Sequence, residues 1–391
     1  MLLTRKRQIE FSLILLILLN WVYVFKYGIR YFEVFEVALV AFFYAGLVVA
    51  LVARFPKKFK PDQTLENRIF YGLVVLFFAV TIYINVKIDA LALQIDRWSA
   101  MTEGITAILN GTYPYSALDH LGGRTSNLPT LFLIGLPFYL LGDVGILQSF
   151  TFLIFTGIIY KLIKSPAIRI VSLLLLISSF WYLYEIVVKS DLVSNTILVL
   201  ASLVYLFKIL NKEGLKKAIL LGVLIAILVF TRLVFALPLG ILFALPFAKA
   251  SLSERFKFLL GFFTAAICLG ALVFYTCPSL EVFYAENPFT LQNRQLPLWL
   301  SLLLAGLAIY FLSRLETVEQ LIRNSFVALA LPVVVAFFII VKDAGFEGAI
   351  IDSHFDITYF NLFTPFLVLY LSLQLDARCV DDHAQKNPLQ V

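Results

Sequence analysis

Residues 128–141 read LPTLFLIGLPFYLL, and whether this run crosses a bilayer decides the topology of everything after it. As a helix it would reach only about 21 Å at 1.5 Å per residue, short of a hydrocarbon core of about 30 Å. Pro129, Gly135 and Pro137 interrupt it further. The basic residues make the choice. If the run does not cross, 22 Lys and Arg fall on the cytoplasmic side and 9 on the other. If it does cross, the downstream chain inverts and the count becomes 12 inside against 19 outside, contrary to the positive-inside rule. The segment is therefore read as a helix lying at, or dipping into, the outer face.

The surrounding chain supports a bilayer setting. Of its 391 residues 61% are hydrophobic and 14% charged, with a mean hydropathy of +0.93. A soluble globular chain holds about 45–50% apolar and about 25% charged residues, so a soluble enzyme, a disordered chain and a disulfide scaffold are excluded. Arg5, Lys6 and Arg7 precede an apolar run over 11–25 that lacks a small-residue cleavage site, which reads as an uncleaved first helix. Further apolar runs cover 33–53, 69–87, 143–164, 167–187, 191–208, 217–231, 233–248, 255–276, 297–313, 324–341 and 358–375. The expected fold is an all-α polytopic membrane protein with about 12 membrane helices (about 11–13). Juxtamembrane helices are expected in a large first external loop, and both termini in the cytoplasm. The whole of 1–391 is one integral-membrane domain: two N-terminal spans over 1–68, a core over 69–375 with its external loop at 88–142, and a cytoplasmic tail over 376–391. Cys268, Cys277 and Cys379 form no framework. The net charge of +6 reflects orientation, so no nucleic-acid partner is expected.

On this topology 15 of the 25 carboxylates lie outside, many beside helix ends, where ionisable groups are costly unless they serve a site or a pathway. The stretch 96–110 has helical periodicity, with Trp98, Met101, Ile105 and Ile108 on one side and Asp96, Ala100, Glu103 and Asn110 on the other. Such a helix belongs in the interface plane, its acids facing water or a cavity. Asn110-Gly111 and Tyr113-Pro114 end it with a turn.

The arrangement D96-R-W-x-A, E103, L109-N-G-x-Y-P-Y, G122-G-R-T-S-N-L-P and L136-P-F-Y-L-L-G-D resembles the first external loop of GT-C glycosyltransferases. These are multispanning enzymes that use polyprenyl-phosphate sugars, among them protein O-mannosyltransferases and the lipid A aminoarabinose transferase. The likeness covers about 50 residues by motif and the remainder only by architecture. Two spans precede the usual first helix, and Arg124 lies five positions upstream of Pro129 rather than beside it. The resemblance implies transfer of a sugar, mannose-like or related, from a polyprenyl-phosphate donor to a glycan, lipid or protein acceptor on the outer face of the cell (inner) membrane. The donor carries its own activation, so no cofactor is called for. It also implies that Asp96 is the catalytic acidic residue.

That chemistry needs a carboxylate to take the proton of an acceptor hydroxyl and a cation to meet the charge developing on phosphate. Asp96 is the first choice of base and Glu103 the second; the alternatives are helix capping for Asp96 and a solvated helix face for Glu103. For the phosphate, Arg124, Arg232 and Arg294 are candidates with Lys189 a fourth, since guanidinium matches phosphate oxygens bidentately. Arg232 lies between two short apolar segments, where exposure at a turn, pairing with an acid or snorkelling are its alternatives. Glu185, Lys189, Asp191 and Asn195 are expected to pair among themselves at a tight hairpin, with sugar recognition the alternative. His354 and Tyr359 are candidates for binding donor or acceptor, whereas Asp352-x-His354-x-Asp356 is too weak a pattern to assign a metal. The alternative functions are a multispanning transporter or lipid-linked-sugar flippase, or an inactive GT-C relative.

Overall fold

The computed structural model describes residues 4–59, 62–292 and 295–386. The chain is 79% helical, and no strand occurs among the described residues. The helices are α1 (Arg5–Gly28), α2 (Val34–Ala53), α3 (Phe55–Lys58), α4 (Gln63–Lys87), α5 (Arg97–Leu109) and α6 (Pro129–Leu140). They continue as α7 (Ile146–Leu162), α8 (Pro166–Ile177), α9 (Phe180–Val187), α10 (Leu192–Glu213), α11 (Ala218–Val229) and α12 (Ala236–Lys249). The last third holds α13 (Leu252–Phe274), α14 (Leu280–Ala285), α15 (Pro288–Gln292), α16 (Leu298–Leu312), α17 (Val318–Ile350) and α18 (Thr364–Lys386).

Six of these, α1, α2, α4, α10, α13 and α17, are long and apolar enough to cross a membrane, and α8 with α9 makes a seventh if their bent pair counts as one. Local chemistry starts several of them. Ser251 and Glu254 form a reciprocal capping box ahead of α13, Glu33 and Glu36 do the same for α2, and the Asp62 carboxylate accepts from the Leu65 amide at α4.

The helices depart from the expected runs in several places, and one expected span is broken where the hydropathy marks nothing. The run over 167–187 bends by 54° between α8 and α9. There the Phe180 amide donates to Asn20 Oδ1 of α1 at 2.7 Å and the Ser179 hydroxyl to the Leu175 carbonyl. An irregular backbone at that depth is tolerable only when buried and satisfied in this way. The runs at 217–231 and 233–248 are separated by an extended Arg232 and the 3-10 turn Leu233–Phe235. The run at 324–341 lies within the 33-residue α17, which breaks at Gly345 (φ 74°), a conformation that glycine adopts without a Cβ clash. The last run opens as a 3-10 turn, Ile357–Leu362, and α18 carries on to Lys386, so the expected tail boundary at 376 falls inside a helix.

Both ends of α6 are tied to neighbouring elements. At its start the Thr130 amide donates to the Phe230 carbonyl (3.1 Å), and just past its finish Asp143 accepts from the Trp98 indole (2.8 Å). Between them α6 lies along α5, with Met101, Ile105, Leu131 and Phe132 in an apolar cluster with Tyr113 and Tyr115. At the opposite end of the bundle Asp376 accepts the amides of Lys164 and Ser165, and the buried Glu66 pairs with Arg169 at 3.6 Å.

α11 and α13 meet backbone to backbone. A Cβ at Gly261 would lie 2.2 Å from the Ile219 carbonyl oxygen, and one at Gly222 would lie 2.1 Å from that of Phe258. Small residues permit this approach, which maximises dispersion contact where lipid offers no hydrophobic drive between helices. Gly261→Ala is therefore expected to cost about 1–3 kcal/mol, because backbone cannot swing aside as a side chain does. Thermal unfolding in detergent checks this, and an unshifted midpoint would contradict it.

Candidate active site

Three ion pairs gather on the loop-bearing end, each joining elements far apart in the chain. In the first turn of α5, Arg97 Nη2 donates to Asp356 Oδ2 at 2.6 Å and to Thr358 Oγ1 at 2.8 Å. A cation at a helix N-terminus opposes the helix dipole, so Arg97 needs such partners. Asp356 Oδ1 in turn accepts from the Thr358 amide and hydroxyl. Burial pushes the Asp356 carboxyl up, but the Arg97 guanidinium and the two Thr358 bonds outweigh it and hold it below the ordinary aspartate range. Burial likewise favours loss of the Arg97 proton, and the Asp356 and Asp191 carboxylates more than reverse this.

The second pair is Arg232 Nη2 with Asp191 Oδ2, at 2.6 Å, with side chains only 7% and 5% exposed. Arg232 also approaches Asn127 Oδ1 at 3.4 Å, while its buried Nε finds no acceptor among the described residues. The third joins Lys189 to Asp143 at 2.5 Å, with Lys189 in the left-handed region (φ 52°) and its ammonium over the Trp98 ring. A non-glycine residue held at positive φ is strained and is retained where its surroundings dictate its position. Between the pairs runs a crevice too tight to admit a water molecule, a closed cleft lined by Arg97, Met101, Val144, Gln148, Lys189 and Asp191.

Beside the cleft the fully buried Glu185 accepts from Asn361 Nδ2 (2.9 Å) and the Val193 amide (3.2 Å). The Tyr23 hydroxyl of α1 lies 3.0 Å from Asn361 Oδ1 and 3.2 Å from the Ile357 carbonyl. The first helix is thereby tied to the segment that carries Asp356.

The hairpin at 185–195 forms no ion pair within itself, contrary to expectation, although Glu185 accepts the Val193 amide. Lys189 reaches Asp143, Asp191 reaches Arg232 and Glu185 reaches Asn361, while the Asn195 amide group has no described partner. Neighbouring elements close over the hairpin and offer opposite charges and amides that the sequence places far away.

Of the expected set, Asp96 and Arg232 each lie within electrostatic reach of Tyr359, as do Arg97 and Asp356. Asp96 is exposed at the start of α5 with helical backbone angles, and its carboxylate makes no cap bond. Capping therefore does not occupy it. Glu103 is also exposed, two turns along α5. Arg124 lies elsewhere on this end, paired at 2.6 Å with Glu286, which also accepts the Ser116 hydroxyl. His354 is exposed near Gly348 and takes part in none of the three pairs. Arg294 lies outside the described residues. Among the described residues no three His, Cys, Asp or Glu side chains converge as metal ligands, and Asp356 of the D-x-H-x-D pattern is committed to Arg97.

No protein-family model, curated protein or solved structure matches the chain. The residues themselves must carry any functional reading.

Sequence reasoning missed Arg97, Asp143 and Tyr23. Arg97 had a usable signal, a cation in the first turn of an amphipathic helix, where the dipole disfavours it unless an acid answers from outside. Asp143 and Tyr23 had none, because their partners are 46 and 338 residues away.

Proposed function

We propose that the chain is a multispanning membrane glycosyltransferase of GT-C type, with about 12 membrane segments and both termini in the cytoplasm. It transfers a mannose-like or related sugar from a polyprenyl-phosphate donor to a glycan, lipid or protein acceptor on the non-cytoplasmic face. The observation that carries this reading is the exposed, uncapped Asp96 carboxylate next to Arg97 at the start of α5, with Tyr359 in electrostatic reach of Asp96, Arg97 and Arg232 alike. Asp96 takes the proton of the acceptor hydroxyl, whose oxygen attacks the anomeric carbon as the bond to the phosphate oxygen breaks. The phosphate leaves on its polyprenyl chain, and Arg232, whose Nε–H is unclaimed by any described residue, meets the charge it gains. Arg232 is favoured over Arg124, whose side chain is 43% exposed and paired at the rim. The cleft is narrow, so donor entry requires α5 and the turn at 143–145 to move apart from α10.

The test is to place the purified protein in liposomes with a polyprenyl-phosphate hexose labelled in the sugar. Label moving to an acceptor supports the reading. Label crossing the bilayer with its lipid linkage intact would replace it with a flippase.

A further inference from the structure

At the end of the bundle away from the ion pairs, α2 presents Leu47, Ala50, Leu51 and Arg54 at helical spacings of three and four, on one stripe. The chain then turns through Pro56 into α3, which brings Phe55 and Phe59 back against that stripe, their rings stacked at 4.8 Å. These six residues line an open groove of about 400 Å³. That is the size of a small-ligand site, but its walls are apolar and it opens sideways along a helix that suits the bilayer. At its mouth Arg54 is exposed, and no described side chain pairs with it. The sequence RFPKKFK over 54–60 holds four basic residues and no acidic one.

An apolar trough whose rim carries a guanidinium that no described side chain pairs with, in a basic segment, is complementary to an anionic amphiphile. On the positive-inside orientation this rim meets the cytoplasmic leaflet, where anionic lipids concentrate. We propose that the α2–α3 groove is a binding site for an anionic phospholipid of the surrounding bilayer, one acyl chain lying along Leu47, Leu51 and Phe59 and the phosphate on Arg54. The site is independent of the sugar-transfer reading and holds whichever reaction the other face performs.

The test uses the full-length protein carrying Phe59→Trp, reconstituted in nanodiscs of phosphatidylcholine doped with brominated phosphatidylglycerol or, separately, brominated phosphatidylcholine. Bromine on the acyl chain quenches a tryptophan it touches, so stronger quenching by the anionic lipid at equal content is expected, measured as the difference from protein without the substitution. Arg54→Ala in the same background is expected to weaken that preference about fivefold, the effect of one basic residue at a charged surface. Equal quenching by the two lipids, a reporter tryptophan that neither lipid quenches, or a preference that survives Arg54→Ala would each overturn the proposal. Phe59→Trp changes a half-buried aromatic residue at a helix end, and native mass spectrometry of protein with Phe59 intact offers a check that needs no reporter. Retained phosphatidylglycerol that Arg54→Ala removes supports the site, and adducts indifferent to headgroup oppose it.

Discussion

Asp96→Asn is expected to abolish sugar transfer, with a loss of about 10²–10⁴-fold, the contribution of a positioned base. Thermal stability should be unchanged. The reason lies in what Asp96 does not do: it is exposed and makes no cap bond to the helix it precedes. Removing its charge therefore breaks no such contact in the resting protein, and surface changes of this kind cost within about 0.5 kcal/mol. The measurement pairs labelled-donor turnover with a thermal unfolding midpoint. Loss of activity at constant midpoint is the expected result; full activity in the variant would remove Asp96 from the chemistry. Glu103→Gln is the companion control, and its expected loss is small because Glu103 lies two turns away along the same helix.

Breaking the pair between Arg232 and Asp191 should do the opposite and destabilise the fold itself. Both side chains are buried, and Asp191→Asn or Arg232→Gln leaves one charge uncompensated in a low-dielectric site at a cost of about 3–5 kcal/mol. Replacing both with apolar residues of similar size, Asp191→Leu with Arg232→Met, removes the stranded charge and is expected to recover most of the stability. Under the proposed mechanism it should recover no transfer, because no guanidinium remains where the phosphate departs. A double variant that is both stable and active would make Arg232 purely structural. The comparison separates folding from chemistry, which neither single change can do.

Much of this was legible in the order of residues. The α5 helix followed from its periodicity, because Met101 and Ile105 sit where a 3.6-residue repeat demands an apolar face and are 2% exposed. That 128–141 holds only a short helix followed from its length and its prolines. The break at Ser178-Ser179 did not show, since apolar character runs up to it from both sides and satisfaction of the opened backbone depends on a remote group, Asn20; the one at Gly345 falls past the end of the apolar run, among Lys342, Asp343 and Glu347, where the hydropathy gave no helix to break. The close crossing of α11 and α13 was likewise invisible: Gly222 and Gly261 read as ordinary helix glycines until each was seen facing the other helix's backbone. At the candidate site, Asp96, Arg232 and Tyr359 were singled out by residue type and position, whereas Arg97, whose ion pair with Asp356 anchors α5, was passed over for its neighbour.

By itself, the sequence determined that this chain suits a bilayer, that it is helical, and where its amphipathic and apolar segments fall. These properties depend on composition and on periodicity within single helices, where each residue's contribution can be read locally. Only the tertiary structure decided which charges meet. Arg97 with Asp356, Arg232 with Asp191 and Lys189 with Asp143 are separated by 259, 41 and 46 residues. In a medium that cannot solvate a lone charge, a partner is set by which helix ends pack together. That choice left Asp96 as an exposed, uncapped carboxylate, while Arg97 beside it and Arg232 already have acids of their own.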